Sequence, residues 1–236
     1  MKSILIVAAE RGLGLGLAAE FFNRGWYVVG TTLPGADRTE LRAVAQADPG
    51  RLDILSIDVT QAEEIKPFLT SLGDRDFDVV YMNAGIYGPL HQSVLQASDA
   101  EFAAIMLTNC FGPARLARNL LSHLRMPGGT LAFMSSHRGS IEMNVEPQLG
   151  LELYRASKVA LNMLARGMYA DNRAKGITVL SIHPGWAATA MGTLDGTVEA
   201  EIPVSTSVEG VADVVEQRMG SGENLYLDYE NKVLPW

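Results

Sequence analysis

Seven short apolar runs, at 3–8, 26–32, 51–57, 77–82, 129–135, 177–182 and 224–228, alternate with helix-period stretches along the whole chain. The helical stretches fall at 14–24, 37–47, 61–72, 99–121, 153–175 and 207–219. The runs are continuously apolar instead of alternating, as expected of strands covered by helices on both faces. This order predicts an α/β fold with a doubly wound, mostly parallel sheet of seven strands, of the Rossmann type. No linker, repeat or composition shift divides the chain, so residues 1–236 are read as one domain. Two long irregular stretches, 137–152 and 190–206, follow predicted strands. They should hang over the carboxyl edge of the sheet, where ligands of such folds bind.

Composition removes several function classes. A hydrophobic content of 47% and a charged content of 19% describe an ordinary globular chain. The net charge of −8 opposes general nucleic-acid binding and an anionic membrane surface. Cys110 is the only cysteine, which rules out an intrachain disulfide and points to a reducing, cytoplasmic setting. The apolar run Ile4 to Ala9 is too short for a signal peptide, and no segment is long enough to span a bilayer. His91, His123, His137 and His183 are scattered without ligand spacing, so no metal is expected.

Between the first strand and helix lies "AAERGLGLG", with glycines at 12, 14 and 16. Backbone amides at that helix start could hold a pyrophosphate. By itself the turn reads equally well as a nucleotide site or as a structural connection. Further along, "LYRASKVALNML" places Tyr154 and Lys158 four residues apart on one helix face. An exposed aromatic–cation pair is commonplace. The alternative is acid–base chemistry, in which the ammonium lowers a phenol pKa from its reference near ~10. Ser136 ends a predicted strand and could present its hydroxyl to a substrate oxygen, or could simply form a turn. The stretch 99–121 is helical in period yet contains Pro113, which has no N–H for the carbonyl of Asn109. That acceptor must find water or another donor, and a water between it and Lys158 would make a proton path. The bland reading is a kink.

Together, "DV" at 58–59, "NAG" at 83–85, "TNCFGP" at 108–113, "MSSHRG" at 134–139, "YRASK" at 154–158 and "HPGW" at 183–186 resemble the short-chain dehydrogenase/reductase family along the whole chain. The helix from Tyr154, the "HPGW…MG" segment and the terminal "LPW" look most like its C-factor/sniffer-type carbonyl reductase branch. The resemblance implies an NAD(P)-dependent oxidoreductase that interconverts a small-molecule carbonyl and alcohol. Tyr154 would be the general acid or base, Lys158 would lower its pKa and bond the nicotinamide ribose, Ser136 would polarise the substrate oxygen, and Asn109 would hold a water. Asp58 and Val59 would meet the adenine, the Asn83–Ala84–Gly85 segment would shape the adenosine side, and Pro184, Gly185 and Thr189 would lie along the nicotinamide.

In the family's T-G-x-x-x-G-x-G register this chain reads Val7, Ala8, Ala9, Glu10, Arg11, Gly12, Leu13, Gly14, so the first Thr and Gly are replaced. The turn is expected to bind a dinucleotide, with Ala8 weakening or shifting the fit. Leu33 stands where many NADP-using relatives carry arginine, and Thr31 and Thr32 are neutral where NAD users are often acidic. Arg11 would attract a 2′-phosphate and Glu10 repel it, and Arg38 and Asp37 lie within reach of the ribose. NADP is favoured over NAD because related carbonyl reductases commonly use it. The stretch from Ser136 to Tyr154 is longer than in most relatives. It is expected to bring Met143, Val145, Leu149 and Leu151, with Pro147, Glu142 and Glu146, to the substrate mouth as an apolar pocket with an acidic rim. The competing readings are a non-catalytic dinucleotide-binding regulator, which would be expected to lose Tyr154 or Lys158, and a sugar-nucleotide epimerase, which would be expected to add a C-terminal substrate region. The helices at 99–121 and 153–175, with Phe102, Met106, Leu161 and Leu164, resemble those that pair such chains into homodimers or homotetramers.

Overall fold

The computed structural model describes residues 1–146 and 150–236. Its centre is a seven-stranded sheet, all parallel, in the order β3-β2-β1-β4-β5-β6-β7. The strands are β1 (Ser3–Val7), β2 (Tyr27–Thr32), β3 (Leu52–Ser56), β4 (Val79–Met82), β5 (Thr130–Met134), β6 (Thr178–His183) and β7 (Asn224–Asp228). The strand order reverses between β1 and β4, which opens a crevice at their carboxyl ends.

Why the strand runs are continuously apolar is visible in the packing. Successive side chains point to opposite faces. Leu5, Val7, Val80, Met82, Leu131 and Phe133 meet α3 (Ile65–Leu72), α5 (Gly112–Leu120) and α6 (Glu152–Asn172) on one face. Ile4, Ile6, Tyr81, Ala132 and Ile182 meet α1 (Gly12–Asn23), α2 (Thr39–Val44) and α7 (Val204–Arg218) on the other. Each fully buried Leu, Ile, Val, Met or Phe among them contributes about 1.5–3 kcal/mol.

The structure shortens or divides several predicted helices. The stretch 37–47 holds only the six residues of α2. The stretch 61–72 opens with a 3-10 turn at Ala62–Glu64, and 153–175 ends in one at Arg173–Lys175. The stretch 99–121 is α4 (Asp99–Met106), a π turn at Leu107–Phe111, then α5. The break has a covalent cause. Pro113 has no N–H, and the chain widens so that Gly112 N–H bonds the Leu107 carbonyl five residues back. A Cβ at Gly112 would lie 2.5 Å from the Val59 carbonyl oxygen, so only glycine permits this close approach to the segment after β3.

Candidate active site

The glycine turn adopts a left-handed bend at its start. Ala8 has φ +63°, a conformation that favours glycine. Its N–H donates to Thr31 Oγ1 at 3.0 Å and its carbonyl accepts from Asn83 Nδ2 at 2.7 Å. A Cβ at Gly14 would lie 2.0 Å from that same carbonyl oxygen, so Gly14 is required for helix α1 to sit against the turn. Ala8 therefore takes the shape of the family's missing glycine. Gly16 has a different task from the one its spacing implies. It brings α1 against α7, where a Cβ would lie 2.8 Å from Val208 Cγ1. At the start of α1, Arg11 occupies the N-cap and makes no side-chain capping bond. Gly12 and Leu13 line the cleft there, and their helix-start position fits the diphosphate of a dinucleotide.

At the end expected to take the adenosine, the predicted residues are mostly engaged or buried. Thr32 is fully buried, Val59 and Ala84 belong to the core, and Ala9 packs towards Gly30. Asp58 accepts from the amide and hydroxyl of Thr60, and Asp37 does the same for Thr39. Asp37 is thereby committed to a local turn. Leu33 is half exposed, and Arg38 lies over the carboxyl ends of β2 and β3, where it bonds the Ser56 hydroxyl. Glu10 lines the cleft, and its Oε2 is buried without a hydrogen-bond partner.

The cleft, about 490 Å³, runs over the carboxyl ends of β1, β4, β5 and β6. It brings together Glu10, Arg11, Gly12, Leu13, Asn83, Gly85, Tyr154, Lys158, Pro184 and Thr189 of the predicted set. Gly185 is not among the lining residues. Its φ is +77°, and a Cβ there would lie 2.5 Å from Ile202 and 2.9 Å from Tyr229.

Tyr154 and Lys158 project from the first turns of α6, and Lys158 Nζ lies 5.6 Å from the Tyr154 ring centroid. Lys158 is buried and donates to the Met134 carbonyl at 2.9 Å. Burial lowers its pKa to about 8. Burial also pushes the Tyr154 phenol up to about 12, with the Ser136 hydroxyl pulling it partly back. In this arrangement the phenol stands above its ordinary value, with loss of hydration the largest cause and the neighbouring Tyr87 adding to it. Ser136 is buried beside the site, its hydroxyl accepting from Arg138 N–H at 3.2 Å and its carbonyl from the Tyr226 phenol. Asn109, in the π turn, is fully buried. Its Oδ1 accepts from Ile86 N–H at 2.7 Å, and its Nδ2 donates to the Ile86 carbonyl and to Ser157 Oγ. Gly85 sits against both groups, a Cβ there lying 3.5 Å from Lys158 Nζ and 3.6 Å from Asn109 Oδ1, which is ordinary contact.

The substrate mouth is built differently from the sequence expectation. Among the described residues, Met143, Val145, Leu151, Glu142 and Glu146 do not line the cleft, and Pro147 and Leu149 lie outside the described residues. Glu146 is paired with Arg138 and Arg155, away from the cleft. The apolar walls come from Ile86, Leu90, Met134, Met191 and Leu194. Tyr87 also lines the cleft, its ring stacked on Tyr154 at 6.2 Å. The segment after "NAG" was the overlooked source. It leaves β4 at the same sheet edge, so its place beside the site followed from the topology. Below the site, His137 Nδ1 and His183 Nε2 lie 2.7 Å apart and join the ends of β5 and β6.

The chain matches the family described as Enoyl-(Acyl carrier protein) reductase over residues 7–214. It is 32% identical to the C-signal protein of Myxococcus xanthus over 173 residues, 73% of this chain and 100% of that one. Among solved structures, a short-chain dehydrogenase/reductase from Burkholderia multivorans with bound NADP is 38% identical, with a TM-score of 0.93 over 100% of this chain and 99% of that one. A carbonyl reductase from Pseudomonas aeruginosa PAO1 in complex with NADP is 35% identical, with a TM-score of 0.89 over 100% of both chains. With this fold and sequence kinship, the chain belongs to the short-chain dehydrogenase/reductase family and is an NAD(P)-dependent oxidoreductase acting on a carbonyl/alcohol pair.

Proposed function

We propose that this protein is an NADPH-dependent carbonyl reductase whose proton donor is Tyr154. The observation that carries this reading is one cleft holding the Tyr154 phenol and Lys158, with Ser136 beside the phenol and the start of α1, at Gly12 and Leu13, also lining it. Bound NADPH supplies the hydride to the carbonyl carbon. The protein's task is to hold the carbonyl oxygen and protonate it. A phenol pushed up to about 12 stays protonated through neutral pH, which suits a general acid. Ser136 donates its hydroxyl proton to the same oxygen and polarises the bond. Lys158, still mostly charged at neutral pH, stabilises the phenolate left after transfer and bonds the ribose. Asn109 has its side chain committed to Ile86 and Ser157, so its main-chain carbonyl, which Pro113 cannot reach, is the group to hold a water towards Lys158.

NADP is favoured over NAD by the local charges. The acidic candidate Asp37 is occupied, and Arg11 and Arg38 stand at the edges of the adenosine end. Two of the similar structures hold NADP. The apolar walls select a neutral aldehyde or ketone over a carboxylate. We place the protein in the cytoplasm, since its single cysteine is buried and no helix among the described residues is long and apolar enough to cross a membrane. Exposed Phe102 on α4, Phe111 at the end of the π turn and Met163 on α6 support a homodimer.

The test is a panel of aromatic and aliphatic aldehydes and ketones with NADPH and NADH. Parent protein should oxidise NADPH with at least one of them. Tyr154→Phe should abolish turnover and keep NADPH binding. Equal turnover by Tyr154→Phe would refute the assignment of Tyr154.

A further inference from the structure

Gln92 stands outside the set the motifs identify, yet it is almost fully buried. Its backbone is left-handed, with φ +54°, which is unfavourable for any residue other than glycine. Such strain persists only where surrounding contacts over-determine the residue. Here they do. Gln92 Oε1 accepts from the Tyr154 N–H at 2.9 Å. Gln92 Nε2 donates to the Tyr87 carbonyl at 2.7 Å and to the Pro89 carbonyl at 2.9 Å. Its main-chain carbonyl accepts from Leu153 N–H at 3.3 Å. The amide cannot be turned over, because its nitrogen faces two carbonyls and its oxygen faces an N–H.

These bonds fall at a place where α6 has nothing of its own. The N-cap of α6, Leu151, makes no side-chain capping bond and is itself left-handed at φ +60°. Gln92 therefore supplies from a distance the acceptor that the first turn of this helix needs. The same amide holds the backbone of Tyr87, whose ring stacks on that of Tyr154. Glu152 adds a second tie by accepting from Val94 N–H at 2.8 Å.

We propose that Gln92 is a positioning residue for the reaction: its side-chain amide clamps the Tyr87 wall of the cleft to the Tyr154 end of α6 and so sets where the proton donor stands. This rests on Tyr154 being that donor. The clamp lies outside the dinucleotide end of the cleft, so it should govern turnover more than cofactor affinity.

Two near-isosteric variants test it, using the carbonyl turned over best in the panel above. Gln92→Met removes both halves of the clamp. It should lower kcat by about tenfold or more, as sub-ångström misplacement of a reacting group does, with the NADPH Kd unchanged within about threefold. Gln92→Glu keeps the acceptor for Tyr154 but turns a carboxylate on the Tyr87 and Pro89 carbonyls. Its kcat should be low at alkaline pH and recover as the carboxyl takes up a proton and regains a donor. His91, Glu101, Arg138, Glu146, Glu152 and Arg155 are the ionisable groups on the segments around Gln92, so the parent is measured over the same pH range. If Gln92→Met does not fold, Gln92→Glu carries the test in its acid form. Turnover by both variants within about threefold of the parent at every pH would overturn the proposal. So would a loss confined to KM, or one that Gln92→Glu does not recover on acidification. Turnover by Tyr154→Phe would instead remove the reading on which the proposal stands.

Discussion

Ala8 offers the sharpest test of the physical reasoning, because its two neighbours in sequence space have opposite predicted signs. Its left-handed φ of +63° costs an L-residue about 1–2 kcal/mol. Glycine removes that cost but gives back about 0.4–1 kcal/mol through its freer unfolded chain. The methyl group is only partly buried, so its loss forfeits about half of the ~0.8 kcal/mol of a buried methylene. The bonds to Thr31 and Asn83 are made by main-chain atoms of residue 8 and survive the change. Ala8→Gly should therefore stabilise the protein by about 0.5 kcal/mol. Ala8→Val adds a β-branch where φ is positive and should destabilise it by about 1.5 kcal/mol or more. Urea denaturation of the three proteins without cofactor would measure a spread of about 2 kcal/mol, as a shift in midpoint at constant slope. NADPH affinity of Ala8→Gly should be at least that of the parent, since the turn keeps its shape. A destabilised glycine variant with a tolerated valine would refute the left-handed assignment and the view that Ala8 imitates glycine.

Lys158, whose folded pKa falls from 10.5 to about 8, binds its proton less tightly folded than unfolded. Stability should accordingly rise between about pH 8 and 10.5, while Tyr154, raised from 10.0 to about 12, acts in the opposite sense above pH 10. Lys158→Met should remove the rise and stabilise the neutral-pH protein by about 1–2 kcal/mol as turnover collapses, which thermal unfolding and steady-state rates together would show. The alkaline limb of kcat in carbonyl reduction should lie near the Lys158 value of about 8, not near that of Tyr154; a flat profile to pH 10 would disprove that Lys158 must be charged. Arg38→Ala should weaken NADPH by about tenfold and NADH by less than twofold in fluorescence titrations, and equal losses would remove Arg38 from 2′-phosphate recognition. Phe111→Glu places a charge on an exposed apolar side chain beside α5 and should yield monomers in sedimentation, whereas an unchanged mass would locate any interface elsewhere.

Local pattern alone carried much of this protein. The continuous apolar strands between helical stretches determined a parallel sheet with two covered faces, because strand and helix periods are properties of neighbouring residues. Pro113 determined a break in the long helix, because a missing N–H is a covalent fact. The four-residue spacing of Tyr154 and Lys158 placed both on one face of α6 for the same kind of reason. What depended on distant partners was decided only by the tertiary structure. Ala8 takes a glycine-like turn because Thr31 and Asn83, 23 and 75 residues away, hold its N–H and carbonyl. The phenol of Tyr154 stands above its ordinary value because the cleft that several distant segments build around it removes hydration. Glu146 pairs with two arginines outside the cleft, and the residues after "NAG" line it instead. Gln92 is an ordinary polar residue in the sequence; 62 positions from Tyr154, it becomes a clamp only when the chain folds back and surrounds it with partners of the right sign.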